Sequence, residues 1–516
     1  MNGAQSLLHT LADAGVEVCF ANPGTSEMHF LAALEDVRGV RGVLGLAEGV
    51  VTGAADGYGR MAGRPAATLL HLGPGMANGL ANLHNARRAF TPIVNVVGDH
   101  ALDHKGFDAP LESDIDAAAG TVSGWVRRSK DSASVGADAA EAVAASTSPP
   151  GQVATLILPA DVSWSDGGQA APPASVPEPR AVPAETVAAV AEAVSSGEAT
   201  LLLGGGACRE RGLLAASRIE RATGTQVLVE TFPARLERGE GLPNFHRLAY
   251  LGESAVEQLA GRRHLVLAGA RSPVSFFAYP GKPSDLVPDG TEVHALATGG
   301  DDVAAALEAV AEEVAAGVEP QRAPAARPEL PSGELTFGNW AEVIGALLPD
   351  GAIVCDEANT SGAGLPKATA GAPRHDWLTL TGGAIGQGLP LAVGAAIARP
   401  DRPVVALEAD GSAMYTIQAL WTMAREGLDV TTVVLSNRAY AILRMELQRV
   451  GAEAGGPTTE SLLDLSRPEL DFVSLATGMG VPATRAGTAE ELAEQFARAL
   501  EEPGPHLIEA LVPPLL

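Results

Sequence analysis

Short apolar runs alternate with longer amphipathic stretches along almost the whole of this chain, and that alternation admits few folds. An apolar run, a helical pattern and a second apolar run read as a strand–helix–strand unit with parallel, doubly covered strands. Residues 16–21 read as a strand and 27–35 as a helix; 66–71, 77–90 and 93–97 continue as strand, helix and strand. Residues 199–203, 264–268 and 293–297 read as strands in the middle of the chain, and 506–512 as the last. Two stretches interrupt the alternation. Residues 166–185 carry Pro172, Pro173, Pro177, Pro179 and Pro183, and 318–334 carry Pro320, Pro324, Pro328 and Pro331. Such composition favours extended, solvated linkers. The expectation is an α/β protein of three doubly wound parallel-sheet domains at residues 1–165, 184–318 and 334–516.

The most informative unit spans 403–437. Its first apolar run ends at Ala409-Asp410-Gly411-Ser412, a helical stretch follows to Gly427, and the second run ends at Ser436-Asn437. A carboxylate and an amide therefore reach the carboxyl ends of two parallel strands, the edge at which open α/β sheets bind ligands. One charged and one neutral oxygen suit a hard divalent cation that shares its shell with phosphate oxygens. Gly411-Ser412 opens the helix, whose free N–H groups and dipole favour an anion. A magnesium-bound diphosphate is the simplest ligand. The plainer alternative is an ordinary unit with a turn Asp and a capping Ser.

Charge and cysteine content narrow the partners. Lys+Arg 35 against Asp+Glu 62 gives −27, which argues against nucleic acid and anionic membrane. A metal and local dipoles still dominate the field at a single site. Cys19, Cys208 and Cys355 are widely spaced and form no CxxC, so neither a disulfide framework nor a zinc site is expected of them. No signal-peptide pattern opens the chain and no apolar run has membrane-spanning length; the expectation is a cytoplasmic protein. Gly204-Gly205-Gly206 follows a strand but lacks the GxGxxG spacing and acidic residue of a dinucleotide fingerprint. It reads first as tight strand-to-helix packing and second as a nucleotide loop.

Three pieces in the first segment follow apolar runs: Asn22-Pro23-Gly24-Thr25-Ser26-Glu27, Ala47-Glu48-Gly49 and Leu70-His71-Leu72-Gly73-Pro74-Gly75. Loops on a rigid scaffold are where function concentrates. Glu48 lies among small and apolar residues, where a carboxylate is costly to desolvate; alone it also reads as a capping or solvated residue. His71 alone reads as a core histidine, and Thr25 as a helix N-cap with Ser26 as its rival.

Together these pieces resemble the thiamine diphosphate (ThDP) enzymes. Asp410-Gly411-Ser412 and Asn437 match the family's Gly-Asp-Gly-Ser and following Asn, with Ala409 replacing the first Gly. The resemblance implies Mg²⁺ bound by Asp410, Asn437 and the backbone carbonyl of Ala439. It implies cofactor contacts at Asn359, Thr360, Gly411, Ser412 and Tyr440. Thr381-Gly382-Gly383-Ala384-Ile385-Gly386 resembles the loop supporting the cofactor's V shape, with Ile385 between the rings and Gly383 contacting the pyrimidine. Glu48, followed by Ala54-Ala55-Asp56-Gly57-Tyr58-Gly59-Arg60, matches the Glu that contacts the aminopyrimidine and promotes deprotonation of thiazolium C2. The resemblance runs through the chain as pyrimidine-binding, middle and diphosphate-binding domains.

Within the family, benzoylformate decarboxylase-like enzymes carry Asn-Pro-Gly-Ser and a strand-terminal Leu-His. Here the Ser position is Thr25 and the His is His71, residues implied to orient the substrate carboxylate and move protons. Acetolactate synthases place a catalytic Gln where this chain has Leu111. A second pocket His expected near 271–281 is missing; Phe276, Phe277 and Tyr279 offer an aromatic wall there, and His100 or His104 a replacement proton donor. These features imply non-oxidative decarboxylation of a 2-oxo acid through an enamine. Acetolactate synthase-like carboligation is the alternative, and a non-catalytic ThDP-binding homologue a third reading. FAD is not expected. A homodimer or homotetramer with its site between subunits is implied.

Overall fold

The computed structural model describes residues 1–452 and 456–513. Three sheets organise them, parallel apart from one edge strand. The first has the order Arg41–Leu44, Val18–Ala21, Ala66–Leu70, Ile93–Asp99, Val153–Pro159, Trp125–Arg128. The second runs His246–Arg247, Gln226–Val229, Ala199–Leu203, His264–Ala268, Glu292–Ala297. The third runs Ala483–Ala486, His506–Leu511, Val430–Ser436, Val404–Ala409, Ile353–Glu357, His375–Thr379, Leu236–Arg238. Its central strands are buried along their length because helices cover both faces.

The last strand of that sheet is antiparallel and comes from the middle of the chain. Leu236–Arg238 pairs with His375–Thr379, so the middle segment extends the third sheet as well as building its own. Three residues with two charges carry no strand signature of their own; the pairing is a tertiary effect. The proline-rich stretch 167–183 forms neither helix nor strand apart from an isolated bridge at Arg180.

One helix begins earlier than its sequence pattern suggests. Gly73-Pro74-Gly75 reads as a breaker, yet the helix spans Leu72–Ala89. Pro74 falls in the first turn, where a missing N–H interrupts no intrahelical bond.

The helix Glu48–Ala62 crosses Gly388–Ala398 of the third segment at backbone contact. A Cβ on Gly57 would fall 2.0 Å from the Leu391 carbonyl oxygen, and one on Gly394 1.8 Å from that of Ala54. Glycine is required at both positions by the close approach of the two backbones. Val50, Ala54 and Tyr58 thereby share a core with Leu389, Ala392 and Ala395. A buried ion pair secures the crossing. Asp56 accepts two bonds from Arg60, one from Thr91 Oγ1 at 2.6 Å and one from Gln387 Nε2 at 2.6 Å. Arg60 donates on to the carbonyls of Thr379 and Ala234, touching all three segments.

Candidate active site

Each sheet has a topological switch point, where successive connections leave in opposite directions and open a crevice at the carboxyl edge. In the first sheet it lies between Val18–Ala21 and Ala66–Leu70. The loops that follow these strands carry Gly24–Glu27 and His71. His71 Nδ1 is 2.8 Å from Glu27 Oε2 and 3.4 Å from Ser26 Oγ. Glu27 is buried, and the same oxygen accepts the Gly24 N–H at 2.7 Å. A Cβ on Gly24 would strike the His71 ring. With Nδ1 donating to the carboxylate, the ring's Nε2 is left free to exchange a proton.

Glu48 opens its helix, is buried, and accepts from Asn78 Nδ2 at 3.1 Å through Oε2. Gly75 stands between it and His71: a Cβ there would lie 3.4 Å from both Glu48 Oε1 and His71 Cβ. Glu48, His71, Glu27 and Ser26 thus form one half-site. Thr25 is solvent-exposed, and Ser26 is the hydroxyl beside the imidazole. Neither caps the turn that begins there; Gly24 holds the N-cap position. His100 follows the neighbouring strand Ile93–Asp99, with Nε2 buried and without a hydrogen-bond partner among the described residues, whereas His104 is exposed. Leu111 is exposed, and Ser113 of the same loop packs against Gly73.

The third sheet has its switch point between Ile353–Glu357 and Val404–Ala409. Asn359 and Asp410 stand on either side, and Asn359 Nδ2 donates across it to Ser412 Oγ at 2.9 Å. Asp410 is buried; its oxygens accept the N–H groups of Gly411 at 2.8 Å and Arg438 at 2.6 Å. Burial pushes its carboxyl up to about 6 against those bonds. Asn437, on the adjacent strand end, accepts the Ala439 N–H at 2.9 Å. The Tyr440 ring lies on Gly411, where a Cβ would meet it at 2.5 Å. Asp410, Asn437 and the Ala439 carbonyl offer oxygen donors only, with one fixed charge, and that donor chemistry suits a hard divalent cation. These residues fit Mg²⁺. Thr360 is half-buried beside Asn359.

Residues 381–387 lie between the halves. Asn82 Nδ2 donates to the carbonyls of Gly49 (2.8 Å) and Gly386 (3.2 Å), tying the helix of Glu48 to this loop. Thr416 Oγ1 donates to the Gly386 carbonyl at 2.9 Å from the side of Asp410. Glu357 receives the N–H groups of Gly386 at 2.7 Å and Gly388 at 2.5 Å. Glu408 is its partner in register and fully buried, and among the described residues neither of its carboxylate oxygens has a hydrogen-bond partner. Burial raises both acids, Glu357 to about 7, and Glu357 raises Glu408 further. Ile385 is half-buried, and Gly383 (φ +74°) is exposed with the Phe276 ring 3.0 Å from where a Cβ would stand. Phe276 packs edge-on to Phe232 and Phe277 and tilted against Tyr250, so an aromatic cluster borders the loop. Among the described residues no hydrogen bond joins Glu48 or His71 directly to Asp410 or Asn437.

Backbone strain marks the same places. Of five described non-glycine residues in the left-handed region, Leu72 (φ 49°), Asn359 (φ 49°) and Arg438 (φ 58°) lie here, and Phe90 and Asp108 are the other two. Each of those three adjoins a candidate site residue or is one, and such strain is found where function demands a fixed geometry. The middle sheet's switch point is different. Gly204 packs directly on Ala270, whose Cα would lie 2.7 Å from a Cβ on Gly204, so backbone contact closes that crevice.

The N-terminal thiamine pyrophosphate-binding domain of thiamine pyrophosphate enzymes matches residues 1–119, and the C-terminal thiamine pyrophosphate-binding domain matches 363–510. The chain belongs to the ThDP enzyme family. It is 65% identical, over the full length of both chains, to a Mycobacterium tuberculosis protein named provisionally as the acetolactate synthase large subunit IlvX. It is 30% identical to a benzoylformate decarboxylase of Pseudomonas aeruginosa, with 96% of each chain covered. A solved ThDP-dependent 4-hydroxybenzoylformate decarboxylase of Rhodococcus jostii superposes with a TM-score of 0.86 at 25% identity, covering 99% of both chains. The two matched regions of this ThDP enzyme contain Glu48 and His71 in the first and Asp410 and Asn437 in the second.

Several members of the site escape sequence reading. By its residues alone, Glu27 is only the end of a loop, and Asp56 and Arg60 are only neighbours of Glu48 on one helix. Glu408 announces itself in one respect, as the single acid near the end of an otherwise apolar strand, whereas Glu357 follows Asp356 at the end of its own.

Proposed function

We propose that this ThDP enzyme uses Mg²⁺ and catalyses the non-oxidative decarboxylation of a 2-oxo acid. The observation that carries the reading is the His71–Glu27 pair beside Glu48, an oriented proton carrier next to a buried carboxylate. Asp410, Asn437 and the Ala439 carbonyl would hold Mg²⁺; Gly411, Ser412, Asn359, Thr360 and Tyr440 would hold the diphosphate. Gly383 and Ile385 would support the rings. ThDP, when bound, supplies the electron sink that allows a 2-oxo acid to lose CO₂.

The protein's own groups do the rest. Glu48 would hold and move a proton at its carboxylate, next to the cofactor's aminopyrimidine. His71, fixed by Glu27, delivers a proton from Nε2 to the product carbon. Thr25, exposed at the start of the turn that follows Gly24, would contact the substrate carboxylate. Phe276 provides an apolar wall where a second histidine is missing, and Leu111 offers no hydrogen bond. Large apolar side chains exposed near these loops, including Phe107, Phe277 and Tyr415, support assembly as a homodimer or homotetramer that completes the site between subunits. Three buried free cysteines support a reducing, cytoplasmic setting.

A second reading has its own support. The 65% identity to a protein named for acetolactate synthase favours carboligation, in which the decarboxylated fragment joins a second carbonyl compound. Product analysis with pyruvate and with benzoylformate, with and without an aldehyde acceptor, separates the two. Aldehyde and CO₂ alone support the decarboxylase; a hydroxyketone or acetohydroxy acid as main product overturns it.

A further inference from the structure

A cluster of three side chains of metal-ligand type lies apart from both half-sites, at the amino edge of the middle sheet. His264 opens the strand His264–Ala268, and Glu292 opens the neighbouring edge strand Glu292–Ala297. The two strands are parallel, with His264 opposite Glu292 and Val266 opposite His294. Side chains alternate along a strand with a period of two, so Glu292 and His294 share a face. The register then places His264 beside both.

The three donor atoms converge. His264 Nδ1 lies 3.1 Å from His294 Nε2 and 3.5 Å from Glu292 Oε2, and His294 Nε2 lies 3.8 Å from the same oxygen. One shared proton satisfies the two imidazoles, but both distances to the carboxylate oxygen are too long for strong hydrogen bonds. A single cation at the centre satisfies all three. With Zn–N and Zn–O bonds of about 2.0–2.1 Å, ligand atoms of a tetrahedral site stand roughly 3.3 Å apart, close to the separations found.

We propose that His264, Glu292 and His294 bind one divalent transition-metal ion, with Zn²⁺ the best match. Two imidazole nitrogens are borderline donors that suit zinc better than magnesium or calcium, and zinc also accepts the carboxylate oxygen. The histidines are half-buried and therefore held in place, while Glu292 is exposed and gives the ion a route from solvent. Water takes the fourth position. The ion clips the edge strand to its neighbour at the end where the strand buries least: Glu292 and Val293 are exposed, Leu296 and Ala297 buried. Its consequence is stabilisation of the middle domain, because an ion bound only by the folded state raises that state's stability.

The test titrates ZnCl₂ into full-length protein already saturated with ThDP and excess Mg²⁺, which keeps zinc from the Asp410 site. Calorimetry gives the stoichiometry, a thermal scan the stabilisation, and anomalous diffraction from a zinc-soaked crystal the position. One equivalent of zinc per chain, a rise in melting temperature, and loss of both in His264→Gln and in His294→Gln support the site. The two variants guard against one that fails to fold. Unchanged zinc uptake in both variants, no uptake by the wild type, or an anomalous peak elsewhere overturns it.

Discussion

Replacing Gly394 by Ala puts the crossing of Glu48–Ala62 and Gly388–Ala398 under direct strain. The added Cβ would stand 1.8 Å from the Ala54 carbonyl oxygen and 2.5 Å from the Tyr58 nitrogen, both backbone atoms that no side-chain rotation can move. Ordinary contact begins near 3.4 Å, so the helices must part by roughly 1.5 Å. Overpacking of this kind costs about 1–3 kcal/mol. The shift also moves Glu48 relative to the loop 381–387, and a displacement near 1 Å at a reacting centre is worth about a hundredfold in rate. Gly394→Ala is therefore expected to lower the apparent melting temperature, weaken ThDP binding and reduce kcat/KM about a hundredfold. Gly120→Ala is the control, since nothing lies within 4 Å of its Cβ position. A Gly394→Ala protein with wild-type melting temperature and turnover would refute the claim that this crossing sets the site.

Two other perturbations follow from buried groups. Glu27→Gln removes the carboxylate that orients His71; kcat is expected to fall toward the value of His71→Ala, itself down about 10²-fold or more, while ThDP affinity is kept. Equal activity of Glu27→Gln and wild type would dismiss the pair. His375 is buried, donates from Nδ1 to the Pro373 carbonyl at 2.7 Å, and is pushed down to about 4 by burial and then by Arg238. The folded state holds it neutral while the unfolded chain takes up a proton below about pH 6.5, so its contribution is present above 6.5 and lost as pH falls toward 4. That loss is on the order of 3 kcal/mol. His375→Asn keeps a donor for Pro373, and its melting temperature should fall less between pH 6.5 and 4; a fall as steep as the wild type's would contradict the account.

How far the sequence carries the structure depends on the range of the interaction. Asp410 and Asn437 are legible because a strand's end places its next residue at the sheet edge with no tertiary information. The switch points follow from strand order, which apolar runs do not encode. Glu27 is legible as an acid but not as the partner of His71, 44 residues away in sequence. Arg60 reaches Thr379 and Ala234 only because two helices cross, and Leu236–Arg238 becomes a strand only because His375–Thr379 is there to pair with it. The exposed Thr25 beside a half-buried Ser26 shows the same limit at one-residue scale: the 3₁₀ turn that follows Gly24 decides which hydroxyl faces the imidazole.

Glu48→Gln tests the central claim most directly. CO₂ release from a panel of 2-oxo acids is measured with ThDP and Mg²⁺ present, alongside ThDP binding to both proteins. The wild type should consume at least one 2-oxo acid; the variant should bind ThDP with similar affinity yet lose turnover by about 10²-fold or more. Full turnover by Glu48→Gln, or a wild type that binds ThDP and consumes no 2-oxo acid, would contradict the account.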